Sequence, residues 1–214
     1  PEGRVRMSCA VGFGRRFVLP LLPDFFQRYP QVQLELSLSD VKVDLVRDGF
    51  DCVVRVGALE PSSLVARPLG HYRQINCASA AYLARYGVPQ TLADLAGHRL
   101  VHYGSGQGRS EPGFEYQLED GSRALLPMAG ALMVNDSETY LAAALAGLGI
   151  IQIPRVGVEG LLGRGELVSI LPAWQAPPLP IHALYAHRRQ LAPRVQLFIH
   201  WLAELLARAL SGES

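Results

Sequence analysis

The sequence has almost no net charge and no long apolar run. Its 214 residues include 20 Lys and Arg against 19 Asp and Glu, a formal net charge of +1. Surfaces that bind nucleic acid or anionic membranes carry an excess of basic residues, which this composition lacks. No stretch approaches the roughly 20 apolar residues of a membrane-spanning helix. The opening residues 1–4 do not resemble a signal peptide. We therefore expect no membrane association.

Cysteine is scarce and odd in number. Cys9, Cys52 and Cys77 each lie within an apolar, strand-like run. An odd count without paired spacing indicates buried free thiols in a reducing compartment, which predicts a cytoplasmic protein. Cys9 alone approaches the basic, partly open setting that a reactive thiol requires.

Motifs of common catalytic and cofactor sites are also missing. Gly12 and Gly14 have the spacing of a dinucleotide fingerprint, but Phe17 occupies the position of the third glycine. The glycine-rich stretch 104–108 lacks the Lys and Ser or Thr of a phosphate loop, and the six histidines form no zinc-protease pair. No Gly-x-Ser-x-Gly elbow occurs. The sequence thus predicts no enzyme, no cofactor and no metal site.

The strongest positive pattern is a strand, a turn, a helix and a second strand within residues 5–40. Apolar and polar residues alternate over 5–9 and over 31–39, and apolar residues recur three and four apart over 17–29. Such a βαβ unit has parallel strands. The glycine-bracketed turn at 12–14 would then lie at the carboxyl end of the first strand, where open α/β sheets bind ligands.

The following segments continue the alternation of strands and helices. Asp40 is predicted to cap a short helix that carries Val41, Leu45 and Val46 and ends at Gly49. Further along, residues 114–126 are predicted to form a hairpin around an Asp-Gly turn.

A second strand–turn–helix pattern begins at residue 134, where Asn135, Asp136 and Ser137 open a helix. The helix starts at 12–16 and 135–137 are expected to offer free backbone N–H groups and a positive dipole end, which suit a carboxylate. Ordinary capping by Asp136 or Ser137, with Arg15 and Arg16 solvated, is the alternative, and it is favoured for either start taken alone. Both starts at one cleft favour a ligand.

Short motifs in a fixed order run through nearly the whole chain. They are Phe13-Gly14-Arg15-Arg16, Leu19-Pro20-Leu21-Leu22-Pro23, Phe25-x-x-Arg28-Tyr29-Pro30, Leu34-Glu35-Leu36-x-x-Ser39-Asp40, Asp48-Gly49-Phe50-Asp51, Arg55-Val56-Gly57, Ser63-Leu64-Val65-Ala66-Arg67, Cys77-Ala78-Ser79-x-x-Tyr82-Leu83, Val134-Asn135-Asp136, Ala146-Gly147-Leu148-Gly149-Ile150 and Tyr185-x-His187-Arg188-Arg189. Together they resemble the effector-binding domain of LysR-type transcriptional regulators. So many ordered motifs make the resemblance specific for the domain, but they say little about the ligand.

The resemblance implies an α/β fold with two periplasmic-binding-protein-like (type 2) subdomains, mixed and mostly parallel sheets, and an inter-lobe cleft. We expect subdomain I to comprise residues 1–73 and 181–214, and the inserted subdomain II to comprise residues 74–180. The effector is expected to be a small organic molecule, an anion or an aromatic acid, that meets a free hydroxyl at the end of the second strand. Carried over by position, the effector-binding residues are Gly12, Phe13, Gly14, Ser39, Arg55, Val56, Gly57, Asn135 and Ser137.

The resemblance also implies partners. Domains of this family form homodimers head to tail, here through helices at 17–29 and 137–146, and a tetramer is expected for the full-length protein. DNA binding is expected only through an N-terminal winged helix-turn-helix, which nothing before residue 5 can supply. A periplasmic transport receptor is the alternative, disfavoured by three free cysteines. An enzyme on the same fold is disfavoured by the lack of catalytic residues.

Overall fold

The structure, a computed structural model, describes residues 1–104, 113–186 and 191–210. The chain divides into two compact units, unit 1 (Pro1–His71 and Leu179–Ser214) and unit 2 (Tyr72–Pro178). Most of the glycine-rich stretch after Tyr103 and the motif residues His187, Arg188 and Arg189 lie outside the described residues.

Unit 1 is built on a five-stranded sheet with the strand order β2-β1-β3-β12-β4. The strands are β1 (Gly3–Cys9), β2 (Val32–Leu38), β3 (Cys52–Val56), β4 (Leu64–Tyr72) and β12 (Leu179–Ala186). β1 is parallel to both β2 and β3, which confirms the predicted βαβ unit. β12 runs antiparallel to β3. The carboxyl ends of the three parallel strands therefore meet at one edge, which we call the carboxyl edge of unit 1.

The connection from β1 to β2 is helical from residue 11 onward. It consists of α1 (Val11–Phe13), a π-helical turn (Gly14–Val18), a 3-10 turn (Leu19–Leu21) and α2 (Leu22–Arg28). Pro20 and Pro23 lack an N–H group, so a regular helical hydrogen-bond ladder cannot run through this segment.

The prediction that residues 12–14 form a turn before the helix was wrong. Gly14 is itself helical, with φ −60° and ψ −45°. A Cβ atom on Gly14 would lie 2.2 Å from Leu38 Cδ2 and 3.1 Å from Cys9 Sγ. Glycine is therefore required here for close packing of the helix on the sheet, and not for a turn.

The core of unit 1 packs α2 and α6 (Pro193–Leu210) with the sheet. The Phe25 ring lies 5.4 Å from the Phe198 ring and 4.8 Å from the Trp201 ring, measured between centroids. In β1, the fully buried Val5 and Met7 alternate with the more exposed Arg6, as the sequence pattern predicts.

The short helix predicted after Asp40 does not form. Residues 45–49 make turns instead, because aspartate side chains bind the backbone N–H groups in place of helical carbonyls. Asp44 Oδ1 accepts from the N–H groups of Val46 and Arg47 at 3.1 and 3.0 Å. Asp48 Oδ2 accepts from the N–H of Asp44 at 3.0 Å.

Unit 2 contains a three-stranded sheet with the order β10-β5-β11, a two-stranded pair β6-β9 and the hairpin β7-β8. Its strands are β5 (Gln74–Ser79), β6 (His102–Tyr103), β7 (Gly113–Gln117), β8 (Arg123–Pro127), β9 (Met133–Val134), β10 (Ile151–Pro154) and β11 (Leu167–Ile170). Its helices are α3 (Ala80–Tyr86), α4 (Ser137–Leu145) and α5 (Glu159–Gly163), with 3-10 turns at Leu92–Gly97 and Arg155–Gly157.

The sheets are mixed, as predicted, but the expected parallel majority does not extend to unit 2. Both pairs of its three-stranded sheet are antiparallel. The predicted hairpin is confirmed as an antiparallel pair. Every residue of β5 is buried, so this strand forms the centre of unit 2. No helix among the described residues combines the length and the apolar character needed to cross a membrane.

Candidate functional site

Three segments meet at the carboxyl edge of unit 1 through backbone and side-chain hydrogen bonds. The Ser39 N–H donates to the Cys9 carbonyl at 2.9 Å, which joins the ends of β2 and β1. The Val11 N–H donates to Asp40 Oδ1 at 2.8 Å. From β3, Arg55 Nη2 donates to the Val43 carbonyl at 2.8 Å. The structure thus brings together the first helix start, the end of β2 and the end of β3.

The helix start at this edge is not as open as predicted. Its first N–H group, that of Val11, is bound by the Asp40 carboxylate. An acidic side chain at a helix N-terminus is favoured by the positive end of the helix dipole. Asp40 therefore already supplies the negative charge that a ligand carboxylate was expected to bring to Val11.

Gly12, Phe13 and Gly14 are all buried. The Phe13 side chain is 3% exposed, and its ring packs 5.7 Å from the Phe17 ring, centroid to centroid. The side of Gly14 that lacks a Cβ faces Leu38 and Cys9. The Phe13 ring and this face of Gly14 are therefore parts of the core.

Ser39 does not carry the free hydroxyl that was expected. Its Oγ accepts from the Val41 N–H at 3.1 Å and donates to the Val41 carbonyl at 3.4 Å. This is a turn in which a serine side chain replaces a backbone group. The hydroxyl oxygen thus accepts a hydrogen bond within the turn. The hydroxyl proton makes only a long hydrogen bond, to the Val41 carbonyl.

Arg55 is a half-buried charged group of this edge. Burial lowers the pKa of its guanidinium, and the nearby Glu60 carboxylate acts in the opposite direction. Glu60 is itself bound to Lys42. The described hydrogen bond of Arg55 is to a neutral group, the Val43 carbonyl. The arginine side chain carries five N–H donors. Arg55 can therefore bind an oxyanion without breaking an ion pair.

Val56 and Gly57 complete the edge. Gly57 has φ +104°, a conformation that favours glycine, and nothing lies within 4 Å of the position of a Cβ atom. Its N–H donates to the Pro180 carbonyl at 2.8 Å, which ties β3 to the start of β12. Backbone conformation, rather than lack of space, requires a glycine here.

The remaining predicted site residues, Asn135 and Ser137, lie at the start of α4 in unit 2. Asn135 is exposed and Ser137 is half-buried. Between them, Asp136 caps the helix, with Oδ1 accepting from the Thr139 N–H at 2.8 Å. Hydrogen bonds from the Thr139 side chain and backbone hold the pKa of Asp136 below its ordinary value. A carboxylate thus occupies this helix start too, and the common cleft stays a prediction.

The cysteines offer no reactive group. All three are free and buried, as predicted. Burial raises the pKa of Cys9 to about 12, and the nearby Asp40 charge adds to this shift. Burial also raises the pKa of Cys77 to about 12 and raises that of Cys52. No cluster of three or more metal-ligating side chains occurs within residues 1–104, 113–186 and 191–210.

Two residues of unit 1 were missed by the sequence reasoning. Asp40 lies two residues after the end of β2, and the predicted parallel pairing could have placed it beside the start of the first helix. His182 lies on β12 opposite Arg55, with an Nδ1 atom that is buried and has no hydrogen-bond partner among the described residues. Nothing in the sequence indicates this pairing, because it depends on a strand register set by distant parts of the chain.

Comparison with known proteins gives a consistent family. The model of the LysR substrate binding domain matches residues 1–207. The uncharacterized HTH-type transcriptional regulator YhjC of Escherichia coli is 44% identical over 205 residues, which cover 96% of this chain and 68% of that protein. An HTH-type transcriptional repressor of Pseudomonas aeruginosa is 36% identical, covering 97% of this chain and 65% of its own length.

A solved structure agrees with these sequences. The regulatory domain of CrgA, a LysR-type transcriptional regulator from Neisseria meningitidis, superposes with a TM-score of 0.83 at 26% identity, covering 96% of this chain and all of that domain. The chain spans about two thirds of the curated relatives' length.

Proposed function

The chain belongs to the LysR substrate-binding domain family, and from this premise we propose that it senses a small organic acid at the carboxyl edge of unit 1. Members of the family are transcriptional regulators rather than enzymes, they bind small-molecule effectors, and they form oligomers. The effector-binding role and the type 2 periplasmic-binding-protein-like fold hold for this chain. Its ligand and the residues that bind it are the subject of the proposal.

One observation carries the choice of an acid. Arg55 is half-buried at this edge, with a neutral carbonyl as its described hydrogen-bond partner and with its nearest acid already paired to Lys42. Partial burial strengthens the attraction between a guanidinium and an oxyanion, and arginine binds carboxylates with two parallel hydrogen bonds. A carboxylate or another oxyanion of the effector is therefore the expected partner of Arg55.

The other predicted residues take smaller parts in this proposal. The Ser39 hydroxyl would donate its proton to the ligand, and Gly57 would let the ligand approach the backbone closely. Gly12, Phe13, Gly14 and Val56 would shape the edge through backbone atoms. Asn135 and Ser137 of unit 2 would add polar contacts. Asp40 would keep the ligand's acid group away from the capped Val11 N–H group, because like charges repel.

The experiment is the recovery of a ligand followed by titration. Protein purified from its own host is examined by native mass spectrometry for a retained organic acid, and that compound is titrated by calorimetry into wild type and Ser39→Ala. One hydrogen bond to a charged ligand contributes about 1.5–3 kcal/mol, so Ser39→Ala should weaken binding roughly tenfold to a hundredfold. Equal affinity in both proteins, with unchanged melting temperatures, would exclude Ser39 from the site.

We further propose the setting in which this domain acts. The whole regulator would bind DNA through a helix-turn-helix domain, as the names of its relatives indicate for those proteins. The chain would form a homodimer, and the full-length protein a tetramer. The three buried free thiols support a cytoplasmic location.

A further inference from the structure

His182 and Arg55 occupy directly opposite positions in the unit 1 sheet. β12 and β3 are antiparallel, and the register pairs His182 with Arg55. Residues that face each other across an antiparallel pair project from the same side of the sheet, with Cβ atoms about 4.5–5.5 Å apart. An imidazole and a guanidinium therefore emerge side by side next to the carboxyl edge.

The imidazole has an unusual feature. Its Nδ1 atom is shielded from solvent and has no hydrogen-bond partner within the described parts of the chain, although the residue as a whole is only half-buried. Buried polar atoms in folded proteins nearly always have a partner, and an exception has a physical cause such as local strain, a functional role, or a bound water or ion. Nδ1 of His182 is therefore a candidate contact for a bound molecule.

The surroundings favour an acid group as that molecule. The neighbouring Arg55 is half-buried and donates to the Val43 carbonyl. The acid that acts on Arg55, Glu60, is exposed and bound to Lys42. Two donor side chains on one side of the sheet, whose nearby carboxylate Glu60 is bound to Lys42, fit the two oxygens of an oxyanion.

We infer that His182 Nδ1–H and the Arg55 guanidinium form one oxyanion subsite that holds the acid group of the effector. The imidazole donates to one oxygen and the guanidinium to the other. This inference rests on the proposed function, which it deepens by adding a residue that fixes the orientation and acidic character of the ligand. A neutral isostere such as the amide has no negative charge to pair with the Arg55 guanidinium. The subsite should therefore bind an acid more tightly than its amide.

The test uses acetate as a probe, because a bare carboxylate is the group that the subsite recognises. Acetate is titrated into the intact chain up to high-millimolar concentration while the His182 ring nitrogens and the Arg55 Nε are followed by NMR. Acetamide serves as the neutral control and chloride as the control for ionic strength. Wild type should show saturable shifts at both side chains with acetate and neither with acetamide nor with chloride.

Two variants separate the ring nitrogens. An asparagine amide can place its nitrogen near the Nδ1 position, whereas a glutamine amide reaches towards the Nε2 position. His182→Asn should therefore retain acetate binding within a few-fold, and His182→Gln should weaken it by roughly tenfold or more, as expected for one hydrogen bond to a charged group. Thermal melting of both variants checks that the fold is intact.

Three results would overturn the inference: an imidazole that does not respond to acetate, equal binding of acetamide, or equal loss in both His182 variants. The first of these would leave an ordered water as the partner of Nδ1. Failure here with a positive Ser39→Ala titration would refute only the subsite. Failure of both experiments would refute the proposed function as well.

Discussion

At the scale of residues, an aspartate occupies each of the two helix starts that were predicted to bind a ligand, one in unit 1 and one in unit 2. Asp40 binds the Val11 N–H, and Asp136 binds the Thr139 N–H. Both interactions stabilise helix starts that were expected to be open to a ligand. At the carboxyl edge we propose a cation, Arg55, as the recognition group; it pairs with His182 in the strand register.

The Asp136 cap predicts a pH-dependent contribution to stability. Hydrogen bonds from Thr139 lower the pKa of Asp136 in the folded protein below its ordinary value of 3.8. The cap therefore contributes stability above the unfolded-state pKa, and this contribution is lost as the pH falls through the folded-state pKa. Chemical denaturation of wild type and Asp136→Ala should show a difference of about 0.5–2 kcal/mol near neutral pH. That difference should vanish in acid; a constant difference would contradict the cap.

A second residue-scale prediction concerns Gly14. A Cβ atom there would lie 2.2 Å from Leu38 Cδ2, far inside van der Waals contact. Gly14→Ala should lower the free energy of unfolding by about 1–3 kcal/mol, the usual cost of overpacking a core. Urea denaturation measures this change. Gly163→Ala is the matched control, because nothing lies within 4 Å of its Cβ position and its backbone is helical. Equal effects of both changes would show that packing against Leu38 is not the cause.

At the scale of elements, local signals predicted well and distant pairings did not. The parallel pair of β1 and β2 was predicted from the alternation of apolar and polar residues over 5–9 and 31–39. The hairpin followed from its Asp-Gly turn. The failed helix after Asp40 had an apolar pattern, but the carboxylates of Asp44 and Asp48 took its N–H groups. The antiparallel pairs of β5 join segments far apart in sequence, so no local pattern gives their direction.

The first helical segment supports a prediction about assembly. Leu19, Leu21 and Phe26 are 44%, 44% and 36% exposed on it. Grouped apolar exposure of this kind marks interfaces. Burying a carboxylate in an interface is costly. The proposed homodimer of Leu21→Asp should therefore dissociate at higher protein concentrations than the wild-type dimer.

Sedimentation velocity over a range of concentrations measures this change. Val46→Asp is the control, since Val46 is 70% exposed in a different segment of unit 1. A wild type that stays monomeric at every accessible concentration, or an equal effect of both substitutions, would contradict an interface at this helix.

At the scale of the whole molecule, the fold is that of the family's effector-binding domain. The net charge of +1 gives the chain no overall excess of basic residues to attract a duplex. The family and fold were predictable from ordered motifs along the chain, and the family model and structural neighbour confirm them. The effector's identity was not predictable, because the polar contacts depend on a few side chains such as His182 whose positions arise only in the folded sheet.

The chain by itself should not bind duplex DNA specifically. Gel shifts with the promoter bound by the intact regulator, at low salt and at physiological salt, test this expectation. Weak retention that disappears as salt rises would reflect charge alone. Retention that persists and distinguishes the promoter from scrambled duplex would place sequence readout within this domain and contradict the prediction.

The central claim is that Arg55 binds the acid group of an effector at the carboxyl edge of unit 1. Calorimetric titration of the recovered organic acid into wild type, Arg55→Gln and Arg47→Gln tests it most directly. Arg47 is the matched control, since its side chain is 79% exposed beside Asp48 in the same unit. Loss of a charged hydrogen bond predicts a roughly tenfold to hundredfold weaker affinity for Arg55→Gln and little change for Arg47→Gln. Wild-type affinity in Arg55→Gln, with its melting temperature unchanged, would contradict the account.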